Sequence, residues 1–387
     1  MARRKIAVVV ASRANYGRIK SVLRAVQDHP DLELQLIVGA SALLSRFGSV
    51  VEVIRRDGFE PAATVHMIVE GENPTTMAKS TGLGLLELPT ILGALRPDIV
   101  LTVADRFETM ATAVAAAYMN IPLAHTQGGE VTGSIDESVR HAVTKLAHLH
   151  FPATERAAER VIKMGEDPAT VHTVGCPAID LAAAAVADRP RALDFDLFAQ
   201  YGGVGPRLDL SGGFLLVLQH PVTTEFGSGL AQITATLEAV RRVELPTVWF
   251  WPNVDAGSDE VSKGIRLFRE EGKAERVHFF RNLPPEEYVR VLHAAACIVG
   301  NSSSGIREGA FLGTPCVNVG TRQAGRERGA NVRDVGHAAD AIAAAVTAQA
   351  AHGPYPPDHR YGDGKAGARI ADVLSRCEVR VQKRLCY

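Results

Sequence analysis

Residues 6–26 read IAVVVASRANYGRIKSVLRAV, and the order of residue types in this stretch sets the fold class. Ile6 to Ala11 is a continuous apolar run rich in β-branched residues, as expected of a parallel strand buried on both faces. Ser12 to Gly17 forms a loop, and Ile19, Val22, Leu23 and Val26 then recur at helical spacing. The same strand–loop–helix rhythm returns at Leu34 to Val38, Ile99 to Val103 and Leu123 to His125, with helical stretches at Leu83 to Leu95 and Phe107 to Met119. Such alternation predicts a parallel, doubly wound sheet whose ligands bind at the carboxyl ends of the strands.

Past Val174-Gly175-Cys176-Pro177 the pattern loosens. Ala182 to Ala187 is alanine-rich and Tyr201 to Gly213 is rich in Gly and Pro, which makes this region the candidate linker. Alternation restarts with strands expected at Phe214 to Leu218, Thr247 to Trp251, Val277 to Phe280, Cys297 to Val299 and Cys316 to Val319. Two α/β halves of similar size, facing a cleft, are therefore expected, with no sequence repeat beyond that rhythm.

Composition agrees with this picture. A chain of 387 residues is long for one core, so two domains are the natural expectation. The hydrophobic fraction of 46% and charged fraction of 22% are those of a globular protein. With a net charge of −1 and no basic run beyond Ala2-Arg3-Arg4-Lys5, nothing builds a field for nucleic acid or an anionic membrane. The five cysteines (Cys176, Cys297, Cys316, Cys377, Cys386) are scattered, odd in number and never in a CxxC pair. That usage suits a reducing cytoplasm and offers no zinc spacing. The apolar run after Arg3, Arg4 and Lys5 is too short for a signal peptide and reads as the first strand.

Chemistry concentrates after the strand ends. In His125 to Lys145, HTQGGEVTGSIDESVRHAVTK, the Gly128-Gly129 pair permits a sharp turn and a close approach to a ligand. Ser134 and Glu137 have the spacing of a capping box. Asp136 is thereby expected in the first turn of a helix, where backbone N–H groups favour anions. Gln127, Glu130, Asp136, Arg140 and His141 crowd this one loop and helix, and Asp136 and Arg140, four apart, share a face. An ordinary capped surface helix would explain the Asp–Arg pair, but not the Gly-Gly turn or the polar density before it. Asp105 and Arg106 also follow a strand directly.

In the second half, Ser302, Ser303, Ser304 and Gly305 follow a strand and offer hydroxyls and N–H groups at a helix start, an anion site in outline. Glu308, about one turn in, is placed to grip ribose hydroxyls. An ordinary serine cap is the plainer alternative, and Gly320-Thr321-Arg322 nearby favours phosphate. His220, in Leu218-Gln219-His220-Pro221, follows a strand and is as readily functional as structural. His148, His150, Trp249 and Trp251 read as structural or core residues. With no Walker loop and no GxGxxG, ATP and NAD have no support.

Taken together, ASRANYG, ADRFE, GGEVTGSIDESVRHAVTKLAH, LQHPVTTE, WPNVDAGS, GNSSSGIREGAFLGTPCVNVGTRQAGRERGANV and YGDGKA resemble the hydrolysing UDP-N-acetylglucosamine 2-epimerase family of sialic- and legionaminic-acid-type pathways, along nearly the whole chain. The resemblance implies a GT-B fold: two Rossmann-like doubly wound domains with an interdomain cleft and a C-terminal helix crossing back. Residues 1–180, completed by a return segment 365–387, would carry the sugar and catalytic loops, and residues 181–364 would bind UDP. By position, Arg13 would contact the diphosphate, Ser302, Ser303 and Arg322 the phosphates, and Glu308 the ribose. Asp105, Arg106, Asp136 and His220 match residues lining the sugar pocket, and Asn253, Arg140 and His141 join the substrate-binding set. Gln127 departs from the family, which usually shows Glu there, and an amide cannot carry a proton as a carboxylate does.

The implied reaction is elimination of UDP from C1 with loss of the C2 proton, giving a glycal, followed by hydration to the free 2-epimer. Asp105, Asp136 and Glu130 supply carboxylates for the proton steps, and Arg13 and Arg322 supply charge for the leaving group. No cofactor or metal is expected. The expected partners are a UDP-sugar and UDP, with no nucleic acid and no membrane, in a homodimer or homotetramer. Two alternatives stand beside this one: an epimerase that retains UDP, and a nucleotide-sugar-binding protein impaired in catalysis, for which Gln127 is the argument.

Overall fold

The computed structural model describes residues 3–253, 255–378 and 380–386. Ala2 of the basic run, Val254 of WPNVDAGS and positions 379 and 387 of the return segment lie outside the described residues. The chain divides into two compact units. Unit 1 comprises the chain up to Glu130, Ile135–Leu181 and the chain from Arg360; unit 2 comprises Val131–Ser134 and Ala182–His359.

Unit 1 is built on six parallel strands: β1 Arg4–Val10, β2 Leu32–Gly39, β3 Ala63–Val65, β4 Ile99–Val103, β5 Leu123–Thr126 and β6 Leu149–Phe151. Their spatial order is β3-β2-β1-β4-β5-β6. Successive side chains on a strand point to opposite faces, so β1 serves two cores. Ile6, Val8 and Val10 pack with Leu36, Val38, Leu101 and Val103 on one face, and Ala7 and Val9 pack with Ile37, Val100 and Leu123 on the other. That double burial is why the strand reads as an unbroken apolar run. Chain direction across the sheet reverses between β1 and β4, which makes their carboxyl ends the switch point where doubly wound sheets bind ligands.

The helix Ala366–Arg376 belongs to this unit and places Ile370, Ala371 and Leu374 in the core beside Val22, Leu23 and Val26. Its N-terminus is held by Asp180, whose carboxylate accepts the N–H groups of Ala366 (2.9 Å) and Gly367 (2.6 Å).

Unit 2 repeats the plan with β7 Leu215–Leu218, β8 Thr247–Phe250, β9 Val277–Phe280, β10 Cys297–Gly300, β11 Cys316–Val319 and β12 Val332–Val335. The order is β12-β11-β10-β7-β8-β9, all parallel, with the switch between β7 and β10. Gly300, at φ +125°, allows these two strands to close at that point: a Cβ there would stand 2.3 Å from the Leu218 carbonyl oxygen.

Two expectations are corrected. The Gly- and Pro-rich stretch 201–213 is part of unit 2, where Val204 bridges Phe279 of β9, and the boundary between the units falls within the helix Pro177–Val186. Residues 182–186 therefore form helix rather than linker because nothing in them breaks one. Strands β3, β6 and β12 were not expected. Each lies at a sheet edge and is only three or four residues long. Among the described residues, no helix is long and apolar enough to cross a membrane, and none of the cysteines forms a disulfide.

Candidate active site

At the switch point of unit 1, Ser12 follows β1 in an extended conformation and its side chain accepts the N–H of Asn15, starting the short helix Arg13–Gly17. Arg13 thus stands at a helix start beside the end of β1. After β4 the chain turns through Ala104 at φ +58°, and after β5 through Gln127 at φ +62°. Left-handed backbone at non-glycine residues is uncommon and strained, and it concentrates at functional sites. Gly129, at φ +76°, then brings the chain against the helix Glu155–Lys163, where a Cβ would lie 2.1 Å from the Ala157 carbonyl oxygen.

His125 braces the two turns. It is fully buried, donates from Nε2 to the Ala104 carbonyl (2.8 Å) and accepts the Thr144 hydroxyl at Nδ1 (3.2 Å). Burial pushes its pKa down to about 3, so the imidazole is neutral and the two bonds fix its tautomer.

Asp105, 4% exposed, forms ion pairs with Arg140 and, at 3.7 Å, with Arg18. Arg140 is wholly buried. It also donates to the Glu130 carbonyl (2.8 Å) and to the Glu137 carboxylate (2.9 Å). Burial alone would favour the neutral guanidine, but Asp105, Glu130 and Glu137 together outweigh it and hold the pKa above the ordinary value. Arg140 thus acts as the organiser of this cluster, pairing with Asp105 and fixing the loop at Glu130. Arg106, 6% exposed, is held against Glu108 at 3.2 Å. His141 meets Glu137 at 2.9 Å through Nε2.

The capping box expected between Ser134 and Glu137 does not form. The helix runs Asp136–Leu146 with Ile135 at its cap position and no capping side chain, because Glu137 is engaged by Arg140 and His141. Asp136 does occupy the first turn. Glu130 and Gln127 are 2% and 1% exposed, and among the described residues neither amide atom of Gln127 has a hydrogen-bond partner.

In unit 2, Asn301 latches the switch point. Its Oδ1 accepts the His220 N–H (2.7 Å), its Nδ2 donates to the His220 carbonyl (2.8 Å), and its own carbonyl accepts from Arg322 (3.2 Å) and Gln323 (2.9 Å). His220 Nδ1 accepts the Asn253 N–H at 3.2 Å, which leaves the proton of the neutral ring on Nε2. Residues 302–304 form hydroxyl contacts: Ser302 to Ser304 at 2.8 Å and Ser304 to Tyr288 at 2.6 Å. Ser303 begins a single turn that precedes the five-residue helix Glu308–Leu312. The Glu308 Oε2 is buried and has no partner among the described residues. Gly133, of the short segment that belongs to unit 2, donates its N–H to the Arg322 carbonyl (3.0 Å).

Sequence reading did not single out His125, Arg18 or Asn301, and it took Glu137 only as half of a capping box. His125 and Asn301 do sit at strand ends, a signal that would have found them. The roles of Arg18 and Glu137 depend on partners that helical spacing alone does not reveal. No group of three or more acidic, His or Cys side chains able to hold a metal occurs among the described residues.

Two doubly wound parallel sheets with polar residues gathered at their switch points define an α/β protein of the GT-B type, the architecture of many enzymes acting on nucleotide sugars. Residues 24–375 match the UDP-N-acetylglucosamine 2-epimerase family, and the chain belongs to that family. The UDP-N,N'-diacetylbacillosamine 2-epimerase (hydrolyzing) of Legionella pneumophila is 33% identical over 96% of this chain and 95% of its own. The UDP-N-acetylglucosamine 2-epimerase of Neisseria meningitidis serogroup B is 27% identical over 98% of both. Among solved structures, the Methanocaldococcus jannaschii UDP-GlcNAc 2-epimerase in complex with UDP-GlcNAc and UDP shares the fold with a TM-score of 0.79, at 17% identity over 96% of this chain and 99% of that one.

Proposed function

We propose that this protein is a hydrolysing 2-epimerase of a UDP-linked N-acetylated amino sugar. The substrate is UDP-N-acetylglucosamine, giving free N-acetylmannosamine, or a UDP-2,4-diacetamido-6-deoxy sugar, giving its free 2-epimer. The observation that carries this reading is the pair of strained turns after β4 and β5, which set the carboxyl groups of Asp105 and Glu130 and the amide of Gln127 at adjacent strand ends. The 33% identity to a relative named as hydrolysing supports it.

In the proposed reaction the C1–O bond breaks as the C2 proton moves to a carboxylate, UDP departs, and a C1–C2 double bond remains. Water then adds its oxygen to C1, while a proton returns to C2 on the opposite face. Asp105 and Asp136 carry the proton steps, with Glu130 supporting them and Gln127 orienting the sugar or the water. Arg106, His141, His220 and Asn253 contact the sugar end. Arg13, Ser302, Ser303 and Arg322 take the growing charge on the diphosphate, and the buried carboxylate oxygen of Glu308 accepts from the ribose hydroxyls. Arg140 serves from inside, holding the Asp105 carboxylate in place.

A second reading, an epimerase that retains UDP, is favoured by the likeness to the Neisseria meningitidis protein, whose name carries no hydrolysis. Product analysis separates the two. Incubation with each UDP-sugar in D2O is expected to release UDP and a free sugar bearing one deuterium at C2. A mixture of UDP-sugars supports the second reading, and a free sugar without deuterium at C2 sinks the elimination route.

A further inference from the structure

The helix Asp136–Leu146 presents three site residues from its first two turns, yet its other end is held by a residue far away in sequence. The Lys383 ammonium donates to three carbonyl groups at that end: Thr144 (3.2 Å), Lys145 (2.7 Å) and Ala147 (2.5 Å). Carbonyls in the last turn of a helix are short of backbone donors (that of Thr144 also accepts the Ala147 N–H, at 3.2 Å), and a cation there also meets the negative end of the helix dipole. Lys383 is itself anchored by Glu166, whose carboxylate lies 2.6 Å from Lys383, 2.6 Å from Lys145 and 3.0 Å from His150 Nε2. Burial would favour the protonated acid, but these three partners hold the Glu166 pKa down to about 2. Two backbone bonds seat the same segment: Cys386 donates its N–H to Gly165 (3.0 Å), and the Val381 carbonyl meets His148 Nε2 at 3.0 Å.

The clamp connects to the chemistry in a few steps. Thr144, whose carbonyl Lys383 holds, donates its hydroxyl to His125 Nδ1. His125 donates in turn to the Ala104 carbonyl, and the next residue is Asp105. One turn back along the helix from Thr144, Arg140 holds Asp105 from the other side. A shift of the helix end therefore moves Arg140, which holds the Asp105 carboxylate, and the His125 brace on the neighbouring Ala104 carbonyl.

We propose that Lys383 is a positioning residue for the active site, capping the helix Asp136–Leu146 from the C-terminal segment of the chain and so fixing Asp136, Arg140 and the His125 brace. This rests on the function proposed above, and wild-type turnover tests that reading first: with no product from the wild type, the reading itself fails.

Given turnover, the full-length variants Lys383→Met, Lys383→Arg and Arg4→Met separate positioning from bulk stability. Arg4 donates to the carbonyls of Leu374 (2.7 Å) and Cys377 (2.9 Å), so its loss loosens the same part of the chain without touching the helix end at Thr144. Lys383→Met is expected to lower kcat about tenfold or more, within the roughly hundredfold that a misplacement of about 1 Å costs, with KM within about twofold. Lys383→Arg should recover most of the rate. Arg4→Met should lower the melting temperature and leave kcat within about twofold. If kcat of folded Lys383→Met equals wild type, or if kcat merely tracks melting temperature across all three variants, the proposal is overturned. If Lys383→Met does not fold, Lys383→Gln, which keeps hydrogen-bond donors without the charge, makes the same comparison. Failure of both to fold shows a bulk structural role and also overturns it.

Discussion

His125 donates its Nε2 proton to the carbonyl oxygen of Ala104, 2.8 Å away, and so ties the end of β5 to the end of β4. Its Nδ1 accepts the Thr144 hydroxyl, and that bond needs a neutral ring. An unfolded chain protonates its histidine near pH 6.5, whereas the folded ring resists until about 3. Between those values the unfolded state binds the extra proton, so stability is full above about 6.5 and falls as pH drops toward 3, by roughly 1.4 kcal/mol per unit at most. Burial lowers His148, His150 and His172 in the same direction, and takes His293 down to about 4. Urea midpoints measured from pH 7.5 to 4.5 are expected to fall steadily. His125→Asn should be less stable at pH 7.5 but show a shallower slope. Parallel slopes for the two proteins would remove His125 from the account.

Arg140 gives the second prediction. Removing one partner from a buried ion pair leaves the other uncompensated and typically costs about 3–5 kcal/mol. Arg140→Met should lose stability on that scale in equilibrium urea unfolding, because Asp105 and the Glu130 carbonyl lose their buried donor together. A loss below about 1 kcal/mol would mean that the pair behaves like an exposed one.

The nucleotide residues can be tested apart from turnover. Glu308→Ala and Arg322→Ala are each expected to weaken UDP binding by roughly 1.5–3 kcal/mol, the range for a hydrogen bond to a charged group. Calorimetry with UDP alone measures this. Unchanged affinity in both variants would exclude them from the nucleotide site.

The proton-transfer residues and Gln127 are expected to diverge. Asp105→Asn and Asp136→Asn should each lower kcat/KM by about 10²–10⁴, the usual range for a general acid or base. Gln127→Ala should cost less, since an amide contributes hydrogen bonds alone. Gln127→Glu places a new carboxylate where the present amide is 1% exposed and unpartnered among the described residues, so burial would push its pKa up. Gln127→Glu is therefore expected to be neutral or harmful on the natural substrate. A gain above roughly tenfold on every substrate would point instead to an impaired active site.

Legibility in the sequence followed burial. Most residues of the inner strands β1, β2, β4, β5, β7, β8, β10 and β11 are covered on both faces, which makes these strands largely apolar. Of the edge strands, β3 and β6 are only three residues long and β12 is exposed at Arg333 and Asp334, whereas β9, VHFF and fully buried, was legible. Residues at strand ends were readable because the doubly wound topology says where to look. What escaped was any role defined by a distant partner. Glu137 reads as half of a capping box until Arg140 and His141 are seen to claim it, and nothing near Glu166 announces Lys383.

Because unit 1 takes its last pieces from beyond residue 360, the order of synthesis constrains its assembly. Ile370 and Leu374, both fully buried in its core, emerge from the ribosome only after all of unit 2 has been made. Until then Val22, Leu23 and Val26 lack their cover and remain a sticky surface on a long-lived nascent chain, the kind of exposure that invites chaperones or aggregation. A chain stalled before residue 360 is expected to bind a hydrophobic dye that the completed protein does not, even though its first six strands are already present.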